Sequence, residues 1–197
     1  MSKAPGFFSR IKALSPEGKR LFATALAERM LPNFQLFCAA LDNNDHAQLQ
    51  SSLDLLWESC FSRRLKLSYE LQLEKLEAIT PEPDDHDMYG VYPAMDAVVA
   101  VSTIFIAMQQ KIEDDLINVS KLSSSTVTNY IEVVEEPELE GKALDDFIFA
   151  HEMMQQEKAI QQQLLEWVES EPNIDDIKEM RRDIRQAATS NIGISLG

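Results

Sequence analysis

Four aspartates and one histidine lie in one short stretch of the chain and could bind a divalent metal ion. They are Asp84, Asp85, His86, Asp87 and Asp96. Carboxylates and imidazoles ligate metals that activate water for hydrolysis. In helical bundles such catalytic sites also use Glu-x-x-His motifs from facing helices, and the sequence contains none. We therefore interpret the stretch as a solvated acidic loop and predict no metal site; a metal-dependent enzyme is the alternative.

Part of the same stretch resembles the calcium-binding loop of an EF-hand. Asp85, Asp87, Gly90 and Asp96 stand at positions 1, 3, 6 and 12 of that loop. An aromatic residue and a proline occupy positions 5 and 9, however, and the bidentate Glu of position 12 is replaced by the shorter Asp. Carboxylates are also favourable near the start of a helix, where they bond backbone amides. The pattern therefore favours a turn at a helix start over a calcium site.

The side chains best suited to bind an organic ligand are two tyrosines in this stretch. Tyr89 and Tyr92 flank Gly90, which allows the chain to turn sharply before a helix begins. Tyr92 and Asp96 are one helical turn apart, so they share a face of that helix. We take Tyr89, Tyr92, Asp87 and Asp96 as a candidate ligand-binding groove. The alternative is that the rings pack on the core and their hydroxyls bond acids or the backbone.

Other reactive side chains lack the neighbours that catalysis needs. His151 and Glu152 begin like the His-Glu-x-x-His zinc motif, but Gln155 stands in place of the second histidine. Cys38 and Cys60 lie in apolar helical patterns without a Cys-x-x-Cys or Cys/His spacing, which predicts buried thiols in a reducing compartment. The sequence also contains no phosphate-binding glycine loop and no nucleophile elbow. These observations predict no cofactor and favour a binding protein over an enzyme.

The spacing of apolar residues predicts that helices position these side chains. Glycine is scarce, with 6 residues, and most of the 8 prolines separate segments with helical periodicity. A chain of 197 residues, of which 45% are hydrophobic, can bury a core without metals or disulfides. We predict an all-α fold, a compact single-domain bundle of about seven to nine helices that covers residues 1–197. The acidic stretch 135–141 is the alternative domain boundary.

Four segments carry the clearest helix predictions. A helix should run from about residue 16 to residue 30 and end or kink at Pro32. The segment from about 93 to 111 is the most apolar and should be the central helix. Residues 112–134 have a polar, β-branched middle, which predicts two helices or a kinked one. One long helix should cover residues 142–170.

The middle of this long helix and the acidic stretch before it are predicted contact surfaces. Residues 155–163 are polar apart from Ala159 and Ile160, so this part of the helix is either exposed or in contact with a polar partner. Its apolar register does not continue a heptad repeat, which argues against a long coiled coil. The acidic stretch 135–141 could meet a basic protein partner. The expected assembly is a monomer or a homodimer.

The chain is strongly acidic. It has 18 Lys and Arg against 33 Asp and Glu, and a formal net charge of −15. This charge repels nucleic acid and anionic membrane surfaces, so neither is an expected partner. The longest apolar run, residues 97–108, is too short to span a bilayer, and the first residues do not resemble a secretion signal. We expect a cytoplasmic protein. Arg63, Arg64 and Lys66 should form a basic corner that neutralises neighbouring acids.

Six groups of residues occur along the chain in a fixed order. They are Glu28-Arg29-Met30-Leu31-Pro32-Asn33 followed by Phe37-Cys38, Leu53-Asp54-Leu55-Leu56-Trp57-Glu58, Gln72-Leu73-Glu74-Lys75, the stretch from Asp87 to Ala97, Val119-Ser120-Lys121, and Ser190-Asn191-Ile192-Gly193-Ile194. Together they resemble the YjaG-like family of uncharacterised bacterial proteins. The resemblance covers nearly the whole chain and is weakest from Glu132 to Gln163. It implies an all-helical domain of unknown function and a link to histidine-kinase signalling, and it implies no catalytic residues.

These observations lead to one functional hypothesis and one alternative. We expect a cytoplasmic helical interaction or regulatory module with a protein partner. The alternative is a small-ligand-binding protein or a metal-dependent enzyme with its site around Asp87–Asp96.

Overall fold

The computed structural model of the protein describes residues 5–62 and 65–195. Over these residues it has nine α-helices, two short 3-10 turns and no strand apart from an isolated antiparallel bridge between Thr189 and Ser195. The helices are α1 (Phe7–Ala13), α2 (Pro16–Ala40), α3 (His46–Phe61), α4 (Tyr69–Glu77), α5 (Val91–Gln110), α6 (Ile117–Glu135), α7 (Gly141–Ala150), α8 (Glu152–Glu169) and α9 (Ile174–Ala187), and the 3-10 turns are Pro83–Asp85 and Glu113–Leu116. The predicted all-α bundle of about seven to nine helices is confirmed.

Two of the predictions concern residues outside this described part of the chain. Arg63 and Arg64 of the predicted basic corner are not described, and neither are residues 1–4, which bear on the predicted lack of a secretion signal. Lys66, the third residue of the predicted corner, is exposed.

Helices α2 and α5 pack against each other at the centre of the bundle. α2 begins where the Ser15 hydroxyl accepts a hydrogen bond from the Gly18 amide at 3.0 Å, with Pro16 at the first helical position. Several of the largest fully buried side chains belong to this pair, Phe22, Met30 and Phe34 on α2 and Phe105 on α5, and Trp57 of α3 is fully buried as well. α5 is the one described helix that is long and apolar enough to cross a membrane, and 56% of its apolar window is buried inside the bundle. α5 is therefore the predicted central helix.

The predicted helix end near residue 30 is wrong, because α2 continues through Pro32 to Ala40. A proline lacks the backbone N–H that would bond the carbonyl of Glu28, four residues earlier. Pro32 and both its neighbours, Leu31 and Asn33, are buried. Packing on several sides thus keeps this segment helical despite the missing hydrogen bond.

The predicted single helix over residues 142–170 is also wrong, because the chain breaks at His151. α7 ends at Ala150 and α8 begins at Glu152, while His151 has an extended backbone with φ −62° and ψ 137°. The Nδ1 atom of His151 accepts a hydrogen bond from the Met153 amide at 3.2 Å. This bond caps α8 and compensates for the interrupted helical turn.

The polar middle of residues 112–134 does not divide the helix there. A 3-10 turn at Glu113–Leu116 leads into α6, which is continuous to Glu135. Ser120, Ser123 and Thr126 lie three residues apart on α6 and are all buried. Their hydroxyls donate to side chains of other helices. These tertiary partners satisfy the hydroxyls inside the bundle, and Thr126 Oγ1 also bonds the Leu122 carbonyl of α6 at 2.9 Å without breaking the helix.

α9 is attached to the bundle through ionic groups. Arg185 Nε donates to Glu28 Oε1 at 2.7 Å, and Arg185 Nη2 donates to Asp54 Oδ1 at 2.5 Å. The second oxygen of Glu28 accepts a hydrogen bond from Trp57 Nε1 at 2.8 Å. The Glu28 side chain is 1% exposed, so this carboxylate is compensated by Arg185 and by the indole rather than by water.

The segment after α9 folds back onto the body of the protein. Gly193 has φ +78°, in the left-handed region that favours glycine. The Ser190 hydroxyl accepts hydrogen bonds from the amides of Ile192 and Ile194 at 3.3 and 3.1 Å. Ile192 is buried against the second, smaller apolar cluster. The turn places Asn191 inside the protein, where it is 4% exposed.

Candidate functional site

The four side chains predicted to line a ligand groove lie around the start of α5. The Tyr89 ring stands between those of Tyr92 and Tyr130, with centroid distances of 5.9 and 6.1 Å. Its hydroxyl oxygen is enclosed and has no hydrogen-bond partner among the described residues. Asp87 and Tyr92 are exposed. The aromatic rings thus form a cluster, in which only Tyr89 has an enclosed polar end.

Among the predicted groove residues, Asp96 is the one whose charge acts on the Tyr89 hydroxyl. It is half-buried and accepts a hydrogen bond from Thr126 Oγ1 at 2.7 Å. Burial raises the pKa of the Asp96 carboxyl above its ordinary value, and the bond from Thr126 offsets part of that rise. Burial, with the nearby charge of Asp96, raises the pKa of Tyr89 to about 12. Tyr89 is therefore a neutral hydrogen-bond donor at physiological pH.

The remaining side chains of the acidic stretch do not form a metal cluster. The His86 ring packs edge-on against Phe37, with 5.0 Å between ring centroids. Asp84 and Asp85 are exposed in a 3-10 turn. Within residues 5–62 and 65–195, no three His, Cys, Asp or Glu side chains are grouped so that they could hold a metal ion. The alternative of a metal-dependent enzyme stays a prediction.

A second site, which the sequence did not reveal, lies between α1, α6 and α8. We call it the α6–α8 groove. Its volume is about 740 Å³, within the range of roughly 300–1,000 Å³ typical of pockets for small molecules. Phe7, Phe8 and Phe149 contribute rings, and Lys121 and Lys158 contribute ammonium groups. Phe8 and Phe149 are 47% and 55% exposed, so two large rings meet solvent at this site.

The two lysines of the groove stand on facing helices at a similar height. Ser120 of α6 donates to Gln161 of α8. Ser123, three residues later in α6, donates to Glu157, four residues earlier in α8. The two helices therefore run antiparallel. Lys121 and Lys158 each adjoin one of these contacts, so along the helix axis they are within about one turn of each other, or ~5 Å.

The electrostatics of the groove contrast with those of the whole chain. Lys121 Nζ donates to Asn118 Oδ1 at 3.3 Å, and Lys158 Nζ lies 3.8 Å from the centroid of the Phe149 ring. Burial lowers the pKa of the Lys158 ammonium. Among the described residues that line the groove, none is Asp or Glu. A chain with a net charge of −15 thus has a groove whose described lining contains basic but no acidic residues.

The floor of the groove is formed by Ser120 and Gln161, which belong to a buried polar network that continues beneath the lining into the core. Ser120 Oγ donates to Gln161 Oε1 at 2.6 Å, and Gln161 Nε2 donates to Glu157 Oε1 at 2.6 Å. Glu157 also accepts hydrogen bonds from Ser123 Oγ at 2.6 Å and from Arg29 Nη1 at 2.9 Å. Its side chain is 0% exposed. Since the network members bond each other, they hold the floor in one arrangement.

This network explains why residues 155–163, the middle of the predicted long helix, are largely polar. Met154, Glu157, Gln161, Leu164 and Val168 are all buried, and their spacing alternates between three and four residues. Glu157 and Gln161 thus occupy core positions in one continuous buried stripe of α8, where they bond the hydroxyls of Ser123 and Ser120 of α6. The sequence shows this buried stripe only when Glu157 and Gln161 are counted as buried together with the apolar residues.

Three comparisons place this fold among known proteins. Residues 6–195 match the family described as Protein of unknown function (DUF416). Relatives named Uncharacterized protein YjaG from Salmonella typhimurium strain LT2 and Escherichia coli strain K12 are each 35% identical, and each alignment covers 88% of this chain and 88% of the relative. A crystal structure of a DUF416 family protein from Shewanella baltica OS155 is 52% identical, covers 98% of this chain and 100% of that chain, and has a TM-score of 0.93.

Proposed function

This chain belongs to the DUF416 family of proteins of unknown function, and from its own side chains we propose that it is a regulatory binding module. Its ligand is a small anionic molecule with an apolar body, which occupies the α6–α8 groove. This proposal keeps the expected regulatory role and moves the binding site away from the start of α5.

The observation that carries the proposal is the charge of the groove. Lys121 and Lys158 face one cavity in which no described lining residue is acidic, although Asp and Glu outnumber Lys and Arg by 33 to 18 in the chain. A concave, partly apolar site with a local positive charge concentrates anions near it. The exposed rings of Phe8 and Phe149 supply apolar surface for the uncharged part of the ligand.

The lining favours binding over catalysis. A nucleophilic hydroxyl needs a general base within hydrogen-bond reach. In the described lining the buried Ser120 hydroxyl donates to the amide oxygen of Gln161, and no His, Cys, Asp or Glu is among these residues. The lysines are thus the described lining groups that could act as a base, and their ammonium groups contact Asn118 and Phe149 instead of a lining hydroxyl.

A path from the groove into the core supports a regulatory role. Gln161 lines the groove and donates to Glu157, which accepts the hydrogen bond of Arg29 from α2. A ligand that bonds Gln161 competes with this chain of hydrogen bonds. The effect of binding then extends from α8 to the central helix α2.

Several expectations from the sequence stay predictions. They are the protein partner, the link to histidine-kinase signalling, the cytoplasmic location, the monomeric or dimeric state, and a ligand groove at Tyr89, Tyr92, Asp87 and Asp96. The enclosed hydroxyl of Tyr89 is the feature that keeps the last of these open.

The proposal is tested with the anionic apolar dye anilinonaphthalene sulfonate. The dye should bind the folded protein with increased fluorescence, and the double variant Lys121→Gln/Lys158→Gln should bind it at least about tenfold more weakly, a loss of roughly 1.4 kcal/mol. The matched control is Lys75→Gln/Lys142→Gln, which removes the same charge from exposed positions outside the groove. Equal loss in both double variants, with unchanged circular dichroism, would contradict the proposal.

A further inference from the structure

Building on the proposed function, we infer that the α6–α8 groove recognises a phosphate monoester: Lys121 and Lys158 together hold one dianionic head group, and the apolar body of the ligand lies along the phenylalanine rings. The inference names the chemical class of the anion and assigns one role to both lysines.

The first argument is the position of the two lysines. They project from antiparallel, facing helices within about one helical turn of each other along the axis. Both side chains are long and flexible, so their ammonium groups can converge on one anion located between the helices. In this structure the two ammonium groups contact Asn118 and Phe149 respectively, so a shared anion requires both side chains to reorient toward it.

The second argument is charge balance. Neither ammonium lies within ion-pair distance of a carboxylate among the described residues: Lys121 bonds the neutral Asn118, and Lys158 lies over a phenylalanine ring. A monoanionic head group would compensate one of the two positive charges. A phosphate monoester carries a charge of about −1.5 to −2 at pH 7 and compensates both.

The third argument is the number of hydrogen-bond donors. Besides the two lysines, Ser125 and Thr128 line the groove, and each of these residues carries a hydroxyl that can donate a hydrogen bond. A phosphate monoester presents three strong acceptor oxygens, whereas a carboxylate has two in one plane. The tetrahedral group can therefore accept bonds from both lysines and one hydroxyl together, with lysine acting as a point charge toward phosphate.

The exposed rings define the rest of the ligand. Phe8 and Phe149 belong to different helices, α1 and α7, and both border the groove. Inorganic phosphate would leave these rings uncovered, so the body attached to the phosphate is apolar. Soluble aromatic phosphates and single-chain lipid phosphates share this chemistry.

The experiment compares naphthyl phosphate with naphthyl sulfate, which has the same body and a single negative charge, by isothermal titration calorimetry. At pH 7.5 the phosphate should bind at least about tenfold more tightly than the sulfate. Between pH 5.5 and 7.5 its affinity should rise roughly fourfold, because the second phosphate pKa is near 6, and the affinity of the sulfate should stay constant. Octyl phosphate and inorganic phosphate are the further arms: tighter binding of the octyl ester identifies a lipid body, and tighter binding of the naphthyl ester an aromatic one.

Single variants test whether the lysines act together. Lys121→Gln and Lys158→Gln should each remove most of the preference for phosphate over sulfate, whereas Lys75→Gln should preserve it. Equal affinity for phosphate and sulfate in the wild type, with binding still dependent on the lysines, would overturn the inference and leave the proposed function standing. Equal or tighter binding of inorganic phosphate would overturn it as well. Binding of naphthyl phosphate and naphthyl sulfate that is independent of both lysines would overturn the inference and the proposed function together.

Discussion

Glu28 and Arg29 are neighbours on α2, and their side chains bind two different helices. Glu28 Oε1 accepts a hydrogen bond from Arg185 of α9 at 2.7 Å, and Arg29 Nη1 donates to Glu157 of α8 at 2.9 Å. The carboxylates of Glu28 and Glu157 are 1% and 0% exposed. One point of the central helix thus anchors both of the last two helices through buried charges.

Substitution of Glu28 by Gln should destabilise the protein strongly. Arg185 would lose the charge of its buried partner but keep its ion pair with Asp54, so the loss is that of a hydrogen bond between charged groups, on the order of 2 kcal/mol. Urea denaturation followed by tryptophan fluorescence measures this directly, since Trp57 bonds Glu28. Glu58→Gln on the exposed face of α3 is the control, and its free energy of unfolding should change by less than about 0.5 kcal/mol. Equal stabilities of the two variants would contradict the role of Glu28.

Removal of the His151 ring should weaken the start of α8. The ring nitrogen accepts the Met153 amide, and loss of an N-cap costs about 1 kcal/mol. His151→Ala should therefore lower the free energy of unfolding by about that amount, whereas His151→Asn, which keeps an acceptor at a favourable capping residue, should stay close to the wild type. Thermal unfolding of the two variants separates them. An unchanged His151→Ala protein would show that the cap does not stabilise the break between α7 and α8.

Asp96 should make stability depend on pH with a defined sign. Its folded pKa lies above the ordinary value of 3.8 because of burial, so the folded state disfavours the ionised carboxyl. The stabilisation is present below pH 3.8 and is lost as the pH rises through the raised folded pKa. Asp96→Asn removes this titration and keeps an oxygen for the Thr126 hydroxyl. Its stability relative to the wild type should therefore increase between pH 4 and pH 7, as measured by urea denaturation; a difference that decreases over this range would contradict the raised pKa.

Truncation of Phe8 should weaken ligand binding without changing its charge preference. An aromatic contact contributes about 0.5–1.5 kcal/mol beyond buried area, so Phe8→Ala should lower the affinities for naphthyl phosphate and naphthyl sulfate equally, by roughly two- to tenfold. Leu71→Ala on α4 is the matched control, because Leu71 is equally exposed, at 47%, and lies outside the groove. If Phe8→Ala lowers the affinity for naphthyl phosphate alone, Phe8 contacts the head group and not the body of the ligand.

Local rules of helix formation predicted much of the fold. The all-α fold and the apolar central helix follow from the spacing of residues close in sequence, and the structure has both. The predicted helix end at Pro32 and the predicted continuous helix through His151 are wrong because tertiary packing and an unusual cap decide the structure at these positions. A local pattern cannot include either effect.

The candidate site was harder to predict than the fold. Lys121 and Lys158 are 37 residues apart in the sequence, and their proximity follows from the antiparallel pairing of α6 and α8. That pairing depends on buried contacts of Ser120 with Gln161 and of Ser123 with Glu157. The sequence leaves residues 155–163 either exposed or in contact with a polar partner, and it does not show that Glu157 and Gln161 are buried against α6.

The position of Asn191 has a consequence for how the chain reaches this structure. Asn33 donates to Asn191, 158 residues later in the sequence, and Asn191 in turn donates to the carbonyl and hydroxyl of Ser123. Contacts of such long sequence separation slow folding. During synthesis the side-chain amide of Asn33 in α2 and the carbonyl and hydroxyl of Ser123 in α6 therefore cannot make these hydrogen bonds until the segment that contains Asn191 has been made.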